Sequence, residues 1–294
     1  MVHSIPPGSH AVNASEQAAR YRAFRALHVP GRPLVMPNAW DGASAAIFRA
    51  AGCLALGSSS AAIANALGRR DGAAAVSREE AIANAALLSR ISGLPVNGDL
   101  EDGFGPSPDD CAATVRASIE AGLAGLGIED TTADPSDPIH AFDASVDRIR
   151  AAAREAQGRI LLTGRTDVLL HGRGDLEEVV RRLRAFADAG ADALFAPGLT
   201  DAASVRRVSE AVAPVPLNVL VAGPLAMNSL EEVAAAGAAR ISLGAAPYRV
   251  ALAAAQALVA ESLGGDFRSM GRALPTAVVE AALSPTNPKG DAAR

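Results

Sequence analysis

Residues 94–130 read "LPVNGDLEDGFGPSPDDCAATVRASIEAGLAGLGIED". A short β-prone run at 94–100 leads into a glycine-broken turn and then into "SPDDCAATVRASIEAG". That segment carries Ser107 before Pro108, the acidic pair Asp109 and Asp110 in its first turn, and Gly122 at its close. These are the start and stop signals of a capped helix. A second β-prone run, "LAGLGIED", follows at once. Strand, helix and strand at this spacing make a parallel crossover unit.

The unit repeats in both directions from this stretch. "LVMPN" and "CLALGSS" precede it, and "ILLTGRTD", "ADALFAP", "VPLNVLV" and "ARISLGA" follow. Helical patterns separate these runs, among them "GASAAIFRAAG", "SREEAIANAALLSRISG", "DLEEVVRRLRAFADAG" and "SLEEVAAAG". Eight strand candidates, each followed by a helix candidate, predict a (β/α)8 TIM-type barrel over residues 21–262. A doubly wound open sheet is the alternative, because alternation alone does not show closure. Residues 1–20 read as a flexible N-terminal segment, and 263–294 as a C-terminal helical extension and tail.

Composition narrows the function. The chain has 294 residues and a formal net charge of -5, with 49% hydrophobic and 3% aromatic residues. No basic run interleaved with aromatics is present, which argues against nucleic acid as a partner. No apolar run long enough for a membrane span and no signal peptide are read, so the expected location is cytoplasmic. Cys53 and Cys111 make no CxxC pair, and the five histidines are scattered. The expected partner is a small molecule.

In a barrel the chemistry gathers at the C-terminal strand ends, and polar residues crowd them here: "MPNAWDG", "GSSSA", "GDLEDGFG", "GIED", "GRTD" and "PLN". Residues two apart share a strand face. Asn97, Asp99 and Glu101 therefore point inward, with Val96 and Leu100 outward. Glu129 points inward above Gly125 and Gly127, and Arg165 lies on the inward face of its strand with Thr163 and Asp167. Asp102 leaves the inward set and bonds the turn that Gly103 and Gly105 permit. Asn218 also faces inward, as a candidate substrate contact. Two explanations fit the carboxylates: an ion-pair network around Arg165, or a divalent cation. An all-oxygen donor set suits Mg²⁺, with Mn²⁺ the nearest competitor.

With these residues placed, the chain resembles the isocitrate lyase/phosphoenolpyruvate mutase superfamily over about residues 34–250. The likeness is carried by "PNAWDGASAAIFRAAGCLALGSSSAAIANALGRRDG" for the first two units, by "DLEDGFG" for the metal stretch, and by "GIED" and "GRTD" at the ends of strands 4 and 5. The resemblance implies a Mg²⁺ site binding a 2-oxo acid. Asp99 would lie closest to the metal, with Glu101, Glu129 and Asp71 acting through coordinated water. Ser60 and the backbone N–H of Ala61 would hold a substrate carboxylate, Trp40 and Asp41 would contribute to the pocket, and Arg165, with Glu129, would serve the chemistry. The implied reaction is C–C cleavage of a 2-oxo or 2-hydroxy (di)carboxylate through an enolate, with P–C chemistry on a phosphonopyruvate-like substrate and a non-catalytic 2-oxo acid binder as alternatives.

One departure is plain. Lyases of the superfamily carry K-[KR]-C-G-H after the strand-4 acidic residues, whereas residues 131–143 here read "TTADPSDPIHAFD". The mutase loop's Lys and Asn-Ser are missing too. Asp134, Asp137 and His140 are the candidate acid/base groups of that loop. Members often exchange the last barrel helix between subunits, and "PYRVALAAAQALVAESLGG" is apolar enough for a dimer or tetramer of that kind.

Overall fold

The computed structural model describes residues 13–72 and 75–284. Its strands are β1 (Leu34–Met36), β2 (Leu56–Gly57), β3 (Val96–Asp99), β4 (Gly125–Glu129), β5 (Leu161–Arg165), β6 (Ala193–Phe195), β7 (Leu217–Leu220) and β8 (Arg240–Ser242). All eight fall inside the runs read from sequence, and they pair in parallel in the order β1-β8-β7-β6-β5-β4-β3-β2. The seam between β1 and β2 is closed by a parallel bridge, Asn38 to Gly57, with Ala39 N–H donating to Gly57 O at 2.9 Å. The sheet thus curls into a barrel, and the open-sheet alternative falls.

The outer ring comprises α2 (Gly42–Ala50), α3 (Ser60–Ala66), α4 (Arg78–Ser92), α5 (Pro108–Glu120), α6 (Phe142–Ala156), α7 (Leu176–Asp188), α8 (Ala202–Val212) and α9 (Leu230–Ala235). Side-chain caps start most of them: Ser77 with Glu80, Ser107 with Asp110 and Ser229 with Glu232 form reciprocal capping boxes, each N-cap being worth about 1 kcal/mol. The outward strand residues Val96, Leu126, Ile128, Leu162, Leu194 and Val219 pack with Leu88, Val115, Ile149, Phe186 and Val208 in one apolar layer between sheet and helices. Period-two alternation therefore sends aliphatic side chains to that layer and leaves polar ones for the lumen.

The N-terminal side differs from expectation. Residues 13–20, read as part of a flexible start, contain the cap and first turns of α1 (Ala14–Ala26), with Asn13 Oδ1 accepting from Glu16 N–H at 2.9 Å. Gln17 Nε2 donates to the carbonyls of Leu123 and Arg159 at 2.7 and 2.9 Å. Phe24 enters the lumen where Gly125 has no side chain: a Cβ on Gly125 would stand 2.7 Å from Phe24 Cε1. The helix plugs the lower end of the barrel. It buries only Gln17 and Phe24, so no apolar stripe betrays it. Residues 1–12 of that segment, and 285–294 of the tail, lie outside the described residues.

After β8 come α10 (Ala246–Leu263), a 3-10 turn at Arg268–Arg272 and α11 (Thr276–Leu283). Helix α11 lies against α2, Arg49 Nη2 donating to Ala282 O at 2.5 Å. Helix α10 buries only Tyr248 and leaves Val250, Leu252, Val259 and Leu263 exposed. Val35, between two inward residues of β1, is 42% exposed, and among the described residues no helix covers it. Among the described residues no helix is long and apolar enough to cross a membrane.

Candidate active site

Strand β3 ends at Asp99, and its carboxylate is held from two sides. Oδ2 accepts from Ser60 N–H at 2.8 Å and from Ser60 Oγ at 2.9 Å, while Oδ1 stands 3.4 Å from Arg165 Nη1. Glu101 has φ 46°, a left-handed turn residue, so alternation stops at Asp99 and the turn, not the pleat, aims Glu101. Asp102 turns away as expected: its Oδ1 accepts from Phe104 N–H at 2.8 Å. The buried Arg148 clamps this turn through the carbonyls of Asp102 and Gly105, at 2.5 and 2.8 Å. Gly103, at φ 88°, is required by contact as well as by backbone, since a Cβ there would meet Cys111 Sγ at 2.8 Å. Cys111 and Cys53 are both free thiols, and burial pushes Cys111 up to about 11.

Arg165, closing β5, is the hub. It forms two parallel bonds to Asp167, Nε to Oδ1 and Nη2 to Oδ2, each 2.6 Å, and Nη1 reaches Glu129 Oε2 at 2.7 Å. Glu129 and Arg165 are direct register partners across β4 and β5, and Thr131 Oγ1 donates to Glu129 Oε1 at 2.7 Å. Behind them the buried Asp130 accepts from Thr166 Oγ1 (2.6 Å), Asp167 N–H (2.8 Å) and Arg182 Nη1 (3.0 Å). That second layer fixes Asp167, which in turn fixes the guanidinium plane.

Two spaces that share Ser60, Asp71 and Arg165 in their walls open over these groups. A cavity of about 1080 Å³ forms the mouth, lined among others by Asp71, Arg78, Glu101, Glu129, His140 and Arg165. A smaller one of about 190 Å³ descends into the barrel past Ser60, Ala61, Asp99, Arg165, Asn218 and Arg240. Trp40 lines neither: it stacks edge-on against Tyr248 and Phe48, with ring centroids at 5.4 and 6.1 Å. Asp41 is also outside them and is spent as the N-cap of α2, accepting from Ser44 N–H at 2.7 Å. Both were expected in the pocket; rim packing and helix capping account for them instead. In the 131–143 loop, Asp134 is tied down by Ser136 N–H and Oγ at 2.8 and 2.7 Å. His140 lines the mouth, and its Nε2 is buried without a hydrogen-bond partner.

The charge balance is uneven. Burial works against the Arg165 charge, but Asp167, Glu129 and Asp99 outweigh it and hold the guanidinium protonated. Burial, then Asp167 and Asp99 acting against Arg165, raise the Glu129 carboxyl well above its ordinary range. Burial together with Asp99, Asp102 and Asp71 pushes Glu101 up to about 8. Arg165 contacts Asp99, Glu129 and Asp167, and one guanidinium does not offset three carboxylates. Among the described residues no three of these side chains converge on one position as a bare cation would need. The all-oxygen donor set and its unbalanced negative charge nevertheless fit a hydrated hard divalent cation, which takes only one or two carboxylates directly.

Several site residues escape the motif reading. Arg182 acts behind these groups and carries no spacing signal, and Asp130, although it closes "GIED", was not singled out as a site residue. Arg240 was legible in principle: in "ARISLGA" it shares a face with Ser242, opposite Ile241, and so points into the lumen.

The profile described as phosphoenolpyruvate phosphomutase matches residues 24–263. A protein of known structure from Burkholderia cenocepacia J2315 is 40% identical, with a TM-score of 0.86, over 92% of this chain and 97% of that one. A 2-methylisocitrate lyase of Salmonella typhimurium is 32% identical over 67% of this chain and 68% of its own. An oxaloacetate acetylhydrolase solved with the product oxalate is 27% identical, with a TM-score of 0.80, over 90% of this chain and 94% of that one. The chain belongs to the isocitrate lyase/phosphoenolpyruvate mutase superfamily, a superfamily of enzymes.

Proposed function

We propose that this protein is a Mg²⁺-dependent enzyme that cleaves a C–C bond in a small 2-oxo or 2-hydroxy (di)carboxylate through an enolate. The supporting observation is the gathering of Asp99, Glu129 and Asp167 on the guanidinium of Arg165, with Asp71 and Glu101 in the same mouth above a lumenal cavity. Asp99 would hold the ion most closely, with Glu101, Glu129 and Asp71 gripping its waters; Mn²⁺ suits the same donors. Bound Mg²⁺ supplies a Lewis acid for a 2-oxo carboxylate.

The chain's own residues do the rest. Arg165, oriented by Asp167, faces negative charge that develops on the departing fragment. Ser60, expected to hold a substrate carboxylate, spends its N–H and hydroxyl on Asp99 Oδ2 instead; the N–H of Ala61, beside the cavity at the start of α3, is left to receive one. Asn218 is fixed by Ser242 and Arg240 and presents its amide to the same space. Burial, together with Arg148, keeps His140 below the ordinary histidine range, so it is neutral near pH 7 and suited to take a proton from a substrate hydroxyl.

The exposed face of α10 and the uncovered Val35 support a homo-oligomer in which a partner's helix fills that gap.

The test is an assay of oxaloacetate, substituted malates and phosphonopyruvate with Mg²⁺, following oxalate, pyruvate and phosphate. Turnover of a dicarboxylate with loss on chelation is expected. Phosphate release from phosphonopyruvate alone would move the reading to P–C chemistry. Tight oxalate binding with no turnover of any compound would leave a binding protein.

A further inference from the structure

Arg240 is a fully buried arginine in the barrel lumen, and among the described residues no carboxylate pairs with it. Its partners are all neutral. Nε donates to Asn218 Oδ1 at 2.8 Å and Nη2 to Thr163 Oγ1 at 3.1 Å. Nη1 meets His28 Nε2 at 3.1 Å and, more loosely, Asn97 Oδ1 at 3.5 Å. Four contacts against the five N–H groups of a guanidinium leave one Nη2 hydrogen without a protein acceptor. His28 cannot act as the counter-charge, because an imidazole that accepts from Arg240 is neutral.

Its position gives this imbalance a use. Arg240, Asn97, Thr163 and Asn218 form part of the lining of the 190 Å³ cavity that Ser60, Asp99 and Arg165 line from above. The two cations are not equivalent. Arg165 is already in contact with Asp99, Glu129 and Asp167, whereas Arg240 has no anion. A low-dielectric space with one uncompensated positive charge attracts an anion, and neutral amides and a hydroxyl around the guanidinium hold its plane for that partner.

We propose that Arg240 is a substrate-recognition residue, providing from the cavity floor the counter-charge for a carboxylate of a compact dicarboxylate. The proposal rests on the dicarboxylate reading above and assigns the charge that selects such a ligand. A monoanion received at the Ala61 N–H alone leaves this cation unmatched.

Oxalate, a non-reacting dicarboxylate, is the probe, titrated calorimetrically into the full chain with Mg²⁺ present. Arg240→Gln is expected to weaken oxalate by at least about tenfold, as loss of a charged hydrogen bond does. Arg240→Lys, which keeps the charge, is expected to lie between Gln and wild type. Asn97→Asp places a carboxylate beside Nη1 and neutralises Arg240 without removing it; it is expected to bind oxalate as poorly as Arg240→Gln while melting no lower than wild type. Arg240→Gln that folds and binds oxalate like wild type overturns the proposal and leaves the functional reading standing. If Arg240→Gln does not fold, Asn97→Asp decides, and wild-type affinity there overturns it. No oxalate binding by wild type overturns the functional reading and the proposal together.

Discussion

Arg165 and Asp167 lie two residues apart and bond in parallel, Nε to Oδ1 and Nη2 to Oδ2, both at 2.6 Å. The pair fixes the plane of the guanidinium, and Asp130 fixes the pair through Asp167 N–H. Asp167→Asn keeps the shape but removes the charge and one acceptor. Each charged hydrogen bond is worth about 1.5–3 kcal/mol, so kcat/KM is expected to fall by about ten- to a hundredfold with the melting temperature little changed. An unchanged kcat/KM would show that Arg165 needs no brace.

Asp99→Ala removes the carboxylate placed nearest the cation while sparing the apolar layer outside the strand. Mg²⁺ binding by calorimetry is expected to be lost and the far-ultraviolet circular dichroism retained. Full metal affinity in the variant would put the ion elsewhere.

His140→Gln tests the loop. A group that moves a proton contributes about a hundredfold or more to rate, so kcat is expected to drop by that order with KM nearly constant. A rise in KM at unchanged kcat would make His140 a binding residue only.

His28 links the fold to pH. Its Nδ1–H donates to Phe24 O at 2.9 Å, and Nε2 accepts from Arg240. Burial, then the Arg240 charge, lowers its pKa from 6.5 to about 3. The unfolded chain therefore takes up a proton below pH 6.5 that the folded chain refuses until about pH 3. Stability is full above the unfolded value and falls with pH below it, by up to about 1.4 kcal/mol per pH unit. Urea unfolding between pH 6.5 and 5 is expected to show this slope in wild type and a flatter one in His28→Asn. Equal slopes would remove His28 as the cause.

Oligomerisation has its own readout. Leu252 and Val259, seven residues apart on one face of α10, are exposed, and Val35 leaves a gap on the barrel. Sedimentation is expected to give a dimer or tetramer, and Leu252→Asp with Val259→Asp to give monomer. A wild-type monomer at micromolar concentration would end the helix-exchange reading.

The strands and the carboxylate ring were legible because both follow from local rules. Alternation sends Val96 and Leu126 outward and Asp99 and Glu129 inward whatever the neighbours do, and capped helices announce themselves by residue type. Glu101 already escapes those rules, because its direction comes from a left-handed turn held by Arg148. Trp40 and Asp41 sat in the right motif and were taken by packing and capping. Helix α1 hid its role because burial by a plug needs only Gln17 and Phe24, not a stripe.

By itself, then, the sequence determined the barrel, its superfamily and the acidic rim, since periodicity and residue chemistry act over a few positions. Only the tertiary structure decided how the charges are shared. Arg165 meets three carboxylates from three segments, while Arg240 meets none because strands 3, 5 and 7 surround it with amides and a hydroxyl. Charge compensation in a lumen depends on which side chains reach the same point from distant parts of the chain, and no local pattern encodes that distance.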